Sequence, residues 1–197
     1  ETDILIGTQM ISKGLDFERL TVVGILDADN MMHFPDFRAH ERSFQLMEQV
    51  SGRAGRRTRR GKVIIQTADP ANVILRQVLK HDFKAMSSTQ LEERSLFGYP
   101  PFTRIIRIAL KHRDLDELNA SAARLAGNLR RQLGTIVLGP EFPMVMQIQK
   151  WYIKTIMIKI GSGLSPSKVK EVIRREAETE LKAVRKGLLR IQADVDP

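Results

Sequence analysis

The order of apolar rhythms in the second half of this 197-residue chain leaves few folds open. Ile105-Ile106-Arg107-Ile108-Ala109-Leu110 has the β-branched character of a strand. Asp114-x-x-Glu117 then forms a capping box. Leu115, Leu118, Ala122, Leu125, Leu129 and Leu133 follow at steps of three and four, until Gly134 stops the helix. Two further strands are predicted over 144–149 and 151–160. Ser165-Pro166 opens a second helix carrying Val169, Ile173, Ala177, Leu181, Val184 and Leu188, and residues 189–195 close as a strand. The order β-α-β-β-α-β is the split-βαβ, ferredoxin-like arrangement.

The first 67 residues have a different rhythm. Ile4-Leu5-Ile6-Gly7 and Leu20-Thr21-Val22-Val23-Gly24-Ile25-Leu26 predict buried strands without alternation. Residues 37–53 predict a helix with Phe37, Phe44, Met47 and Val50 near one face, and 62–67 predict a third strand. Long connections between strands imply a parallel sheet in an α/β layer. The elements are too few for a whole doubly wound domain. The start at Glu1-Thr2-Asp3, without methionine, predicts that the chain begins inside one. Segment 68–98 is expected to be helical, with Asp69 capping and Pro70 at the first helical position. Val78, Leu79, Phe83 and Met86 lie at helical spacing, and Thr89-x-x-Glu92 resembles a second cap. Tyr99-Pro100-Pro101-Phe102 marks a boundary. The expected organisation is α/β plus α+β: a partial lobe over 1–67, a helical connector over 68–99 and a complete domain over 100–197.

Charge and composition narrow the chemistry. Lys and Arg number 32 against 23 Asp and Glu, a net charge of +9. That excess suits a polyanionic partner, usually nucleic acid, or a basic surface that keeps the chain soluble. The absence of cysteine excludes a disulfide framework, Cys-ligated zinc and thiol catalysis within these residues. No apolar run approaches the ~20 residues of a membrane span. His33, His40, His81 and His112 lack metal-ligand spacing and are expected to be structural or at the surface.

Gln49-Val50-Ser51-Gly52-Arg53-Ala54-Gly55-Arg56 is the strongest chemical signal. It places two guanidinium groups three residues apart on one helical face, with glycines that permit close approach. Phosphoryl transfer needs positive charge at the γ-phosphate as the bond breaks, and an arginine finger supplies it. A basic, solvated helix end is the plainer alternative, because 53–62 holds six basic residues and no acid. The second signal is Gly7-Thr8-Gln9-Met10-Ile11-Ser12-Lys13-Gly14-Leu15-Asp16-Phe17. It follows a predicted strand, where α/β sheets place ligands.

Together the two runs resemble motifs V and VI of the second RecA-like lobe of a superfamily 2 helicase. Leu26-Asp27-Ala28-Asp29, Asp36-Phe37-Arg38-Ala39-x-Glu41-Arg42, Glu93-Arg94, Pro100-Pro101-Phe102, Gly139-Pro140 and Asp194-Val195-Asp196-Pro197 extend the likeness to the end. The chain is similar, over essentially its whole length, to the C-terminal part of the bacterial primosomal replication-restart helicases. The resemblance implies an ATP- and Mg2+-dependent, 3′-to-5′ DNA helicase that recognises abandoned forks and reloads the replicative helicase. It implies an S10-like last domain and a cytoplasmic, nucleoid-associated protein. Partners would be forked and single-stranded DNA, the acidic tail of a single-strand-binding protein, and other primosome proteins; no membrane is involved. By the same likeness Arg56 is the preferred finger and Arg53 faces the ATP phosphates. Gln49 couples nucleotide to lobe, and Gly14, Asp16 and Gly52 lie on the nucleotide side. Thr8, Gln9 and Lys13 lie nearer the DNA. The family's zinc-binding cysteine cluster would lie upstream.

No G-x-x-x-x-G-K-[ST] phosphate loop and no D-E-x-[HD] magnesium box occurs in these residues, so the chain alone is expected to be inactive on ATP. Lys150-Trp151-Tyr152 with Lys154 has the composition of a single-strand stacking platform. Equally, Trp151, Ile153, Thr155 and Met157 alternate as the filling of a sheet face would. Lys168 and Lys170 near a helix start are candidates for an acidic peptide tail. Two other readings stay open: a non-catalytic nucleic-acid or protein-interaction module, and another superfamily 2 translocase, such as a fork-reversal enzyme. The match through Asp194-Val195-Asp196-Pro197 argues against the second.

Overall fold

Strand β1 (Val22–Ile25) forms where the apolar run 20–26 predicts it. The computed structural model describes residues 4–8, 20–52, 54, 61–184 and 188–196. β1 pairs in parallel with β2 (Lys62–Ile65), in register from Val22 opposite Lys62 to Ile25 opposite Ile65. A parallel pair needs a long crossover. Here it contains α1 (Ala28–Met32) and α2 (Ala39–Ser51). The helix predicted over 37–53 therefore starts two residues later. Asp36 accepts the Arg38 backbone N–H at 2.8 Å and the Arg42 guanidinium at 2.6 Å, which holds 36–38 in a turn before the helix.

The strand predicted at Ile4-Leu5-Ile6 is not formed. Residues 4–8 have no regular structure, and Ile4 and Ile6 are 79% and 84% exposed. A strand exists only as part of a hydrogen-bonded ladder, and among the described residues no partner pairs with this run.

The connector breaks into α3 (Val73–Leu79) and α4 (Phe83–Phe97). Asp69 does not cap a helix. Its carboxylate accepts the Ala71 N–H at 3.1 Å in a local turn, and Asn72 caps α3 by accepting from Ile74 N at 2.9 Å. His81, at φ 52, separates the helices, and Asp82 accepts the Ala85 N–H at 2.9 Å near the start of α4. Thr89 caps nothing. It lies inside α4 and donates to the Ala85 carbonyl. Leu79, placed on the buried face by spacing, is 71% exposed, because the break ends the helical phase. The core that does form joins Ile25, Ala28, Met32, Phe44, Met47, Ile74, Leu75, Val78 and Met86.

The chain divides into two compact units between Glu93 and Arg94. The second unit contains β3 (Arg104–His112), α5 (Leu115–Leu133), a 3-10 turn (Gly134–Ile136), β4 (Val137–Glu141), β5 (Gln147–Ile148), β6 (Trp151–Ile160), α6 (Pro166–Ala183) and β7 (Arg190–Val195). The sheet order is β4-β6-β3-β7, antiparallel throughout, with β5 also paired to β6. Asp114 caps α5 by accepting the Asp116 and Glu117 N–H groups at 2.9 and 3.0 Å, and Gly134, at φ 71, ends it. Leu118, Ala122, Leu125 and Leu129 of α5, with Val169 and Ile173 of α6, pack on Ile106, Ile108, Leu110, Ile156, Ile158 and Ile160. Leu181 and Leu188 stay partly exposed, and Glu180 is buried in that region instead.

One strand prediction needs correction, and one strand is not foreseen. The strand expected over 144–149 shrinks to β5, and Met144 is 69% exposed. The strand β4 carries Gly139-Pro140, a pair that punctuates a sequence. It is tolerated because β4 is an edge strand whose register shifts between Leu138 and Glu141. Gly139 has φ 86, and a Cβ added there would meet the Thr155 carbonyl oxygen at 2.8 Å. Gly139→Ala is therefore expected to destabilise the chain by about 2 kcal/mol or more, combining left-handed strain with a backbone clash. Urea unfolding of the two proteins side by side measures it; unchanged stability would mean that β4 re-registers freely.

Candidate functional site

The carboxyl ends of β1 and β2 lie side by side, and Asp29 joins them. Its carboxylate accepts the Thr67 hydroxyl and the Ala68 N–H, each at 2.7 Å. These bonds, the Ala68 N–H foremost, hold the Asp29 carboxyl below its ordinary range. Asp27 occupies the left-handed region at φ 51 immediately before α1. This is the edge at which open α/β sheets present ligands.

Helix α2 runs to the start of the arginine-rich motif. Met47 is fully buried, and Glu48 holds the His81 Nδ1 at 2.9 and 3.0 Å, so the last turn of α2 is tied to the α3–α4 break. Gln49 is exposed on that turn, and Gly52 is the C-cap, donating its N–H to the Glu48 carbonyl. Arg53, Arg56, Gly14, Asp16, Gln9 and Lys13 lie outside the described residues. Thr8 is exposed and outside any helix or strand.

β6 alternates, but the face packed on the helices is that of Ile156, Ile158 and Ile160. Of the four residues expected to fill a face, Ile153 is buried while Trp151, Thr155 and Met157 are only partly so, and the alternation separates two neighbours. Tyr152 packs against the core under the helices, opposite His112. Trp151, Ile153, Thr155, Met157 and Lys159 point to the other face. Trp151 is half-buried, with the Arg113 guanidinium 5.2 Å and the Arg190 guanidinium 4.1 Å from its ring centroid. Lys150 is exposed in the β5–β6 turn at φ 66, following Gln149 at φ 49. Such paired left-handed residues suit a tight hairpin. At the far end of the strand, Lys159 donates to the Phe97 carbonyl at 2.8 Å and lies 3.7 Å from the Tyr99 ring centroid; burial pushes its pKa down.

Lys168 and Lys170 are exposed in the first turns of α6, far along the chain from Trp151. Ser165 makes no side-chain cap bond there. Among the described residues, no group of three His, Cys, Asp or Glu is placed to hold a metal ion. Gln90 contacts His40 and Glu93, and His112 Nδ1 accepts the Asp114 N–H. No described helix is long and apolar enough to cross a membrane. Spacing gave no hint of Arg113 and Arg190, because only the register of three strands brings them to Trp151.

The family model described as the primosomal protein N C-terminal domain matches residues 95–197, and that of the helicase conserved C-terminal domain matches 1–58. Among curated relatives, the replication restart protein PriA of Bacillus subtilis (strain 168) is 37% identical over 184 residues, covering 90% of this chain and 23% of the relative. The protein of the same name from Synechocystis is 33% identical over 200 residues, covering 100% of this chain and 23% of the relative. That from Treponema pallidum is 38% identical over 198 residues, covering 99% of this chain and 29% of the relative. The chain thus spans about a quarter of the length of the relatives it matches.

Proposed function

From its membership of the primosomal protein N family, we propose that this chain supplies the C-terminal part of an ATP-driven, 3′-to-5′ DNA helicase that restarts replication at abandoned forks. The observation that carries the reading is a pairing within one chain. A Gln-x-x-Gly-Arg-x-Gly-Arg run begins on the last turn of α2, and a basic β-α-β-β-α-β domain follows it. The first unit is read as part of a RecA-like lobe, on the strength of its parallel β1–β2 pair and the ligand edge at Asp27–Asp29. The second is read as a split-βαβ, S10-like domain, supported by the sheet order β4-β6-β3-β7.

In this reading Gln49 and Gly52 lead the nucleotide contacts, with Arg53 and Arg56 facing the phosphates and Gly14 and Asp16 beside them. ATP with Mg2+ would supply the phosphoryl group, and the phosphate loop and magnesium box that would hold it lie outside these residues. Thr8, Gln9 and Lys13 track DNA, as do Lys150 and Trp151. Tyr152 supports that strand from the core side. Zinc does not fit the residues present: the chain has no cysteine, and no described cluster matches a metal site. Zinc would be bound elsewhere in the full-length protein. Lys168 and Lys170 are the candidates for the acidic tail of a single-strand-binding protein, other primosome proteins being further partners. The protein would act in the cytoplasm at the nucleoid.

The test is ATP turnover by the full-length protein with and without forked DNA. Stimulation by the fork is expected, and a DNA-independent or absent ATPase would reject the reading. The 197-residue chain alone should release phosphate only at background, since a finger without its phosphate loop has nothing to stabilise. DNA-stimulated turnover by this chain would place a phosphate site within these 197 residues and reject the expectation.

A further inference from the structure

The geometry points to Arg113 and Arg190 as a pair of phosphate ligands ordered by Trp151, so that this face grips the nucleic-acid backbone rather than stacking on bases. The inference rests on the DNA-binding reading above and specifies its contact. Arg113 follows His112, whose partner on β6 is Tyr152, and so reaches Trp151 from the adjacent strand. Arg190 lies opposite Lys111 on β7 and reaches the same indole from two strands away. Both are exposed. Among the described residues neither has a carboxylate partner, and the first acid that follows each in the chain is engaged elsewhere. Asp194 pairs with Arg107 at 3.3 Å, and Asp114 caps α5.

Two guanidinium groups repel each other. The negative face of the indole offsets part of that repulsion and restricts both side chains before any ligand arrives. A guanidinium fork matches a phosphate oxygen pair. Lys111, on the same sheet face, and Lys150, in the adjoining turn, enlarge the positive field. A ring covered by cations is a poor platform for a base, whereas two pre-ordered forks are a good one for successive phosphates. The site should therefore accept single strands and duplexes alike, regardless of sequence.

The test titrates the 197-residue chain with three labelled probes of about 20 nucleotides: a mixed-sequence strand, an abasic strand and a duplex. Affinities should agree within about threefold. The double variant Arg113→Gln/Arg190→Gln should weaken all three roughly tenfold and lower the single-strand salt slope by about 1.4, about 0.7 per phosphate. Trp151→Leu should weaken binding with little change in slope. Trp151 is the sole tryptophan, so its emission should respond equally to the abasic and the mixed strand.

Far tighter binding of the mixed strand than the abasic one, with strong quenching, would overturn the proposal in favour of stacking. So would displacement of DNA by polyglutamate at lower charge concentration, which would indicate an acidic protein partner. Retained affinity in the folded double variant, checked by melting, would reject the arginine pair while leaving the DNA reading intact. A parent chain that binds none of the three probes would reject that reading and the pair with it.

Discussion

Replacing Arg56 with alanine in the full-length protein should lower ATP turnover about a thousandfold or more while leaving DNA affinity within a fewfold of the parent. A thousandfold is about 4 kcal/mol of transition-state stabilisation. An effect of that size is expected of a positive charge that meets the γ-phosphoryl oxygens only as the bond breaks. Arg53→Ala should also impair turnover, with part of the loss appearing as weaker nucleotide binding. The two residues follow α2, whose last turn is fixed by buried Met47 and by the Glu48–His81 contact. Disturbing that turn should reduce turnover and stability together, whereas Arg56→Ala should leave melting unchanged. Single-turnover hydrolysis at saturating ATP and forked DNA separates the cases. Near-parental turnover in the Arg56→Ala protein would remove the finger from this motif.

What the sequence discloses here follows from the range of each interaction. Helix α5 is legible because its whole determinant is local: Asp114 at the cap, Leu118, Ala122, Leu125 and Leu129 on one stripe, Gly134 at the end. The parallel pairing of β1 and β2 follows almost as directly from buried β-branched runs and a long crossover. Ile4-Leu5-Ile6 and Met144-Val145-Met146 carry strand-like composition as well, yet they stay exposed. Composition tells what a residue would do in a ladder, not whether a partner lies beside it. β4 fails in the opposite sense, since Gly139-Pro140 argues for a turn and an edge position makes it a strand. The α3–α4 break was within reach: Lys80-His81-Asp82 interrupts the apolar stripe, and Asp82 is a helix-start residue. The glycine- and arginine-spaced motif stands out by residue type alone. The surroundings of Trp151 do not, because Arg113 and Arg190 reach it only through strand register.

Arg124→Ala should destabilise the C-terminal unit by about 2–3 kcal/mol, clearly more than Glu180→Gln. The pair joins α5 to α6. The Arg124 Nη2 and Nε donate to the two Glu180 oxygens at 2.7 and 3.4 Å, and Nη2 also reaches the Ser121 hydroxyl at 3.1 Å. The hydrogen bond to Glu180 pushes the guanidinium pKa further above its ordinary value. The two side chains differ in exposure: that of Arg124 is 50% accessible, that of Glu180 only 6%. Deleting the acid leaves a guanidinium that water can solvate. Deleting the base strands a carboxylate between two helices, where it must stay charged without a partner or take up a proton. Glu180→Gln keeps an acceptor in the same place and should cost about 1 kcal/mol. Replacing both residues together with Met and Leu should recover most of the loss, because apolar side chains of similar size remove the desolvation cost altogether. Urea denaturation of the four proteins at neutral pH measures these differences. Equal, sub-kilocalorie losses for Arg124→Ala and Glu180→Gln would show that water reaches Glu180 and that α5 and α6 are held together by Leu125, Leu129, Val169 and Ile173 and by the Gln132–Glu176 hydrogen bond, without help from this pair.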